Sequence, residues 1–184
     1  MSLMPPDPDF RSSPFPPRQQ FARLAWQLFH AVFIRLSPRP CHAWRAFWLR
    51  IWGARIGAGC RIYPGAIIWA PWSLVCEEDA CVADGAELYN PAPIRLGARA
   101  VVSQGAYICT ASHDYEKATF PLVAKEIVIG ADAWICARAI VLPGCEIGAG
   151  SVIGAGSVVT RSTPPWSVCA GNPARVVREN YTRA

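Results

Sequence analysis

From residue 56 onward an Ile, Leu or Val returns every six residues, at positions 56, 62, 68, 74, 82, 88, 96, 102, 108, 129, 135, 141, 147, 153 and 159. Two-residue expansions follow Leu74 and Leu88, and one long insertion follows His113. These three residue types make up 38 of 184 residues, about one in five, so the unbroken run of six hits from Ile129 to Val159 marks a true internal repeat. The fourth residue after each aliphatic one is Ala, Ser or Cys in twelve of the fifteen hexads, Trp72, Glu78 and Thr163 being the exceptions. A large inward residue paired with a small one at fixed spacing fits a triangular coil in which each hexad is one short strand and a turn. Three hexads close a coil, so fifteen predict an all-β fold of about five coils stacked as a parallel β-helix over 56–163, with a loop inserted at 114–128. Gly57, Gly97, Gly130, Gly148 and Gly154, just after an aliphatic residue, are expected to ease corners that need unusual dihedrals. Cys60 and Cys145 fall in the small inward slot, where a thiol is a compact hydrophobe.

The chain ahead of the repeat is built differently. Prolines 5, 6, 8, 14, 16 and 17 punctuate residues 1–17, which predicts a flexible tail. From Arg18, Phe21, Leu24, Ala25, Leu28, Val32 and Leu36 recur at helical spacing, with Trp26, Phe29, Phe33 and Ile34 on the other sides. After Pro38 and Pro40 a second helix reads from His42, with Trp44, Phe47, Trp48, Ile51 and Trp52. Residues 18–55 thus form an α-helical appendage that needs a nonaqueous partner. Arg35 and the two prolines interrupt the run, which excludes a membrane span. Two readings remain: peripheral contact with a membrane, where tryptophan and arginine suit the interface, and packing on this subunit or a neighbour.

Charge follows the same boundary. Residues 1–61 hold nine arginines against Asp7 and Asp9, a balance of +7, whereas 62–184 hold nine basic against eleven acidic residues, or −2. A general nucleic-acid surface does not look like this. The eight cysteines show no C-x-x-C pair, so neither a zinc cluster nor a disulfide scaffold is indicated, and a cytoplasmic protein without a metal is the natural reading. The start of the chain lacks the order of a secretory signal.

Residues 56–177 resemble the hexapeptide-repeat acyltransferases. The strings RIYPGAIIWAPW (61–72), VVSQGAYICTASHDY (101–115) and PPWSVCAGNPARVV (164–177) are similar to the colanic acid biosynthesis acetyltransferase subgroup, and SPRPCHAW (37–44) carries the likeness into the appendage. The resemblance implies a left-handed coil, against the usual right-handed crossover, and a homotrimer with active sites between subunits. It implies acetyl-CoA as donor and a sugar hydroxyl as acceptor, on a surface polysaccharide or its lipid-linked precursor. It places the general base on His113, since His30 and His42 fall in the appendage. Beside it, Asp114 is a candidate to orient the imidazole, with a local backbone acceptor in the turn as the alternative, and Tyr115 is a weaker candidate. Asn90, after Tyr89 at an expanded corner, matches the position of an asparagine that contacts acceptor hydroxyls, although a turn asparagine is the plainer alternative. Carried over in the same way, Trp134 stands beside the pantetheine arm, Ala137, Ala155 and Thr160 line the groove, and Arg175 and Arg178 in the C-terminal extension 164–184 meet the cofactor phosphates and adenine.

Three other functions fit a β-helix of this kind. A zinc carbonic anhydrase needs three histidine ligands, and the repeat domain has one. An N-acetyltransferase acting on a nucleotide-linked amino sugar uses similar base chemistry, and only the string resemblance favours a hydroxyl. A noncatalytic, membrane-associated trimeric scaffold would have no reason to carry His113, Trp134, Arg175 and Arg178 together.

Overall fold

The computed structural model describes residues 15–181. The proline-rich stretch therefore lies outside the described residues except for 15–17. The repeat folds as a three-sided parallel β-helix. One face stacks Arg55–Ile56, Leu74–Cys76, Ile94–Leu96, Ile127–Ile129 and Glu146–Ile147. The second stacks Arg61–Ile62, Cys81–Val82, Val101–Val102, Trp134–Ile135, Val152–Ile153 and Val168–Gly171, and the third stacks Ile67–Ile68, Glu87–Tyr89, Tyr107–Cys109, Ile140–Val141 and Val158–Val159. Five coils are complete, and a sixth is begun by the bridge from Thr163 to Ile147 and by Val168–Gly171. Ala174–Arg178 then folds back antiparallel on that last strand.

Register confirms the hexad at fourteen of its fifteen positions and corrects one. The inward column of the first face runs Ile56, Cys76, Leu96, Ile129, Ile147, so Cys76 and not Leu74 holds the repeat position. The expansion therefore falls before Cys76, and the residue four beyond it is Ala80, fully buried, in place of Glu78. Leu74 is an added inward residue aligned with Ile94 and Ile127. The corner glycines also have a different reason from the expected one. Gly57, Gly97, Gly130, Gly148 and Gly154 all keep ordinary φ. A Cβ on Gly148 would lie 2.4 Å from Pro165 N, so the first four are small because the next coil's backbone passes too close, and a Cβ on Gly154 would meet the Ala170 methyl at 3.1 Å. Left-handed φ falls two residues beyond the corner position that follows the first face in each coil, at Gly59, Asp79, Arg99, Asp132 and Gly150, which stack in one column.

The appendage closes the open end of this prism. Helix α1, Pro17–Phe29, begins with proline at its first position, where the missing N–H has no partner to lose. It continues through a π-turn, His30–Ile34, and a bend into α2, His42–Ile51. In the first coil the carbonyls of Ile56, Ile62 and Ile68 point out of the stack, with no earlier coil to supply donors. Arg50 Nε donates to Ile56 O (2.9 Å), Arg45 Nε to Ile62 O (2.6 Å) and Trp26 Nε1 to Ile68 O (2.7 Å), while His30 Nε2 donates to Ala66 O (2.9 Å). An exposed parallel edge invites pairing with another chain, and side-chain donors here blunt it. Trp26, Ile34, Ala46 and Leu49 bury themselves beneath the first coil, each large one contributing about 1.5–3 kcal/mol.

His30 makes this cap sensitive to pH. Burial holds its pKa below the ordinary imidazole value, against a smaller opposing pull from the bond to Ala66. The folded chain thus binds fewer protons than the unfolded one just below neutrality, so the stability His30 supports is present above the unfolded pKa and lost as pH falls through the folded value. Thermal unfolding should show Tm falling from pH 7 to pH 5, and His30→Gln, which keeps a donor but does not titrate, should flatten that fall. An identical slope in the variant would place the acid sensitivity elsewhere.

Candidate active site

All the irregularities of the repeat share one edge of the prism. The turn that passes from the third face to the first is lengthened at 69–73, at 90–93 and again at 110–126, in consecutive coils. The longest of these rises as a hairpin, Ala111–His113 paired antiparallel with Leu122–Ala124, with His113 opposite Leu122. Thr110, fully buried, roots it: its Oγ1 accepts from Ala92 N–H (3.0 Å) and donates to Ala92 O (3.1 Å). Thr110 was passed over in the sequence, although it opens the same TASHDY string.

His113 is exposed on this hairpin, and its orientation is fixed from two sides. Its ring stacks on Phe120 at 4.5 Å between centroids, 8° from parallel. Nδ1 lies 2.8 Å from Phe120 O. A carbonyl can only accept, so Nδ1 carries a proton, and in the neutral ring the lone pair is on Nε2. Phe120 itself sits at φ +46°, a backbone conformation uncommon for a bulky residue, which aims that carbonyl at the imidazole. The group that orients the ring is thus a backbone oxygen and not the Asp114 carboxylate. Asp114 accepts from Glu116 N–H at 3.2 Å in a local turn and pairs with Lys117 at 3.1 Å. Asp114→Asn should accordingly lower kcat by less than about tenfold, far less than loss of His113. A steady-state comparison checks this, and a loss as deep as that of His113→Ala would restore the carboxylate to the mechanism.

An open cleft of about 470 Å³ lies against the hairpin, lined by Ser112, His113, Asp114, Tyr115, Glu116, Val123, Lys125, Leu142, Pro143 and Thr160. The structure thus brings Thr160 to His113. Tyr89 and Asn90 lie lower on the same edge. Burial pushes the Tyr89 phenol up, keeping it a neutral donor, and its ring meets Trp69 at 5.5 Å. Asn90 is fully buried, its Nδ2 donating to Ala70 O (2.7 Å) and its Oδ1 accepting from Ala70 N–H (2.9 Å), so its amide holds the corner of the coil below.

The remaining candidates are on other parts of the prism. Trp134 is half-exposed on the second face, its Nε1 donating to Ser103 Oγ at 2.8 Å. Ala137 and Ala155 stack at the corner between the second and third faces, where Gly156 N–H donates to Ala137 O (3.0 Å). Arg175 and Arg178 stand exposed on the final antiparallel strand. One chain therefore carries the histidine and the alanine groove on two edges with the third face between them. Among the described residues no three His, Cys, Asp or Glu gather as a metal site.

A triangular β-helix of this kind is shared with hexapeptide-repeat acetyltransferases of solved structure. The family described as bacterial transferase hexapeptide (six repeats) matches residues 126–161. The colanic acid biosynthesis acetyltransferase WcaF of Escherichia coli is 43% identical over 154 residues, 84% of this chain and 85% of that one. A hexapeptide-repeat containing acetyltransferase of Vibrio cholerae superposes with a TM-score of 0.80 at 25% identity, covering 92% of this chain and 94% of its own. That protein's complex with acetyl coenzyme A gives 0.81 at 23% identity, covering 91% of each chain. The chain belongs to the hexapeptide-repeat acyltransferases, in the subgroup of the colanic acid biosynthesis acetyltransferases.

Proposed function

We propose that the protein transfers an acetyl group from acetyl-CoA to a sugar hydroxyl of a surface polysaccharide or its lipid-linked precursor, with His113 as general base. The observation that carries this reading is the imidazole that lines an open cleft with its Nδ1–H tied to Phe120 O. In the reaction the hydroxyl proton passes to Nε2 as the oxygen attacks the thioester carbonyl. The C–S bond then breaks, and the proton leaves the imidazolium with the thiolate, giving an acetyl ester and free coenzyme A. Positioned base catalysis of this kind contributes about 10²–10⁴ in rate.

The separation of His113 from Ala137 and Ala155 supports a homotrimer in which the base of one subunit faces the donor groove of the next. Trp134, Ala137 and Ala155 would take the pantetheine arm there, Thr160 would close the groove beside His113, and Arg175 and Arg178 would meet the phosphates. Tyr89, on the edge below the hairpin, offers an aromatic ring to a sugar, whereas its neighbour Trp69 is already stacked by the Arg23 guanidinium at 3.9 Å.

The test incubates the protein with labelled acetyl-CoA and a panel of lipid-linked and nucleotide-linked sugars. Label that mild alkali releases from a sugar, as an ester, is the expected result. Alkali-stable label on an amino sugar would make the enzyme an N-acetyltransferase, and no transfer to any member of a broad panel would return the scaffold reading.

A further inference from the structure

The cap has a second side. Of the side chains in 15–55, Phe21, Leu24, Leu28, Val32 and Leu36 of the first helical segment and Phe47 and Ile51 of α2 face away from the β-helix, each at least 50% exposed. The two segments form one surface: Trp44 Nε1 donates to Phe33 O (2.9 Å), and Val32, Phe33, Leu36, Pro38, Cys41 and Trp44 line a shared open groove of about 290 Å³. Soluble monomers seldom leave so many large apolar groups contiguous.

We infer that this outward face of the cap docks on an anionic lipid bilayer. Charge selects that occupant. Residues 15–55 contain seven arginines and no aspartate, glutamate or lysine. Arg45 is buried, Arg50 is held by the first coil, and Arg39 pairs with Asp84 at 2.7 Å. Arg18 and Arg35, both exposed, stand at the two ends of the apolar stripe. A face that is apolar with a purely cationic rim matches lipid phosphates over acyl chains. It does not match a second copy of itself, because a twofold contact would set arginine against arginine. Tryptophan at its edge suits the headgroup level, and the groove is open on the same side, where an acyl chain enters. No helix among the described residues is long and apolar enough to cross the bilayer, so the contact is peripheral.

The inference adds a location to the acetyl-transfer reading and stands or falls without it, since its test reads binding and not turnover. The full chain is floated with phosphatidylcholine vesicles containing or lacking phosphatidylglycerol. Removing residues 1–55 is unsuitable, because the first coil would lose the donors on its edge. Binding to the anionic vesicles is expected, weakening with salt. Leu24→Glu with Leu28→Glu should cut partition by at least about tenfold, and Arg18→Gln or Arg35→Gln by about fivefold each on anionic vesicles alone, all with unchanged Tm and native mass. Failure of the wild type to float with anionic vesicles overturns the inference. So does a change in assembly mass in the Leu24→Glu, Leu28→Glu variant, which would make the face a contact between protein chains.

Discussion

Replacing His113 by alanine should lower kcat for acetyl transfer by about 10²–10⁴-fold while leaving the fold intact. The side chain is exposed and, among the described residues, its polar contact is to the Phe120 carbonyl, which water can satisfy in its absence, so Tm should move little. The loss belongs in kcat more than in KM, because a base acts on the proton that moves in the transition state and not on the bound sugar. Thiol release followed at saturating acetyl-CoA measures it. A His113→Ala enzyme within a factor of a few of wild type would remove the base from this residue. Phe120→Ala keeps the carbonyl and deletes only the stacked ring, so its smaller loss would measure how far the ring alone positions the imidazole.

The largest expected effect on stability is at Arg45. Its guanidinium is fully buried, donates to the carbonyls of Ile62, Pro38 and Arg39 and to Ser37 Oγ, and touches His42 Nδ1. One planar fork thus ties the bend between the helices to the edge of the first coil. Arg45→Met keeps the aliphatic bulk and leaves several acceptors without donors, so stability should fall by about 2–4 kcal/mol. Chemical denaturation followed by tryptophan fluorescence reads this directly. Lysine at the same place keeps the charge but cannot span the fork, and should fall in between. An Arg45→Met protein as stable as wild type would show that the outward carbonyls need no protein donor.

The periodic part of the molecule was legible because the β-helix writes its geometry into the sequence. Inward positions recur at six and each column at every third hexad, so Ile62, Val82, Val102, Ile135 and Ile153 could be aligned by counting hexads across the expansions and the insertion, and the structure stacks them in that register. Counting failed where the corner lengthens. At 68–76 a count restricted to Ile, Leu and Val lands on Leu74 and passes over Cys76, whereas register is set by which residue follows the extra turn at Pro71–Ser73.

Much of the site was legible only as a short string. His113 stood out as a lone histidine at the start of an insertion, but its orienting partner did not, because that partner is a backbone carbonyl seven residues away across a hairpin. A neighbouring carboxylate, Asp114, drew the role by proximity in sequence, and local turn bonding claims it instead. Asn90 shows a similar effect: the amide that suggests a ligand contact is committed to Ala70, one coil away. The donors of the cap were invisible for a related reason. Trp26, His30, His42 and Arg45 reach carbonyls 17 to 42 residues distant, and nothing in their own spacing says that the first coil has an open edge. Their apolar neighbours read as a surface in need of cover, and the structure covers one side of it only.

The account rests on a site shared between subunits, and one measurement tests that directly. His113→Ala chains, lacking the base, are co-expressed with Ala155→Trp chains, whose added ring fills the donor groove, and mixed trimers are isolated by two different tags. Each mixed ring contains one junction where an intact histidine meets an intact groove, so these trimers should show about one third of wild-type kcat, although both parents are inactive. Mixed trimers no more active than their parents would contradict the account, because base and groove would then have to come from the same chain.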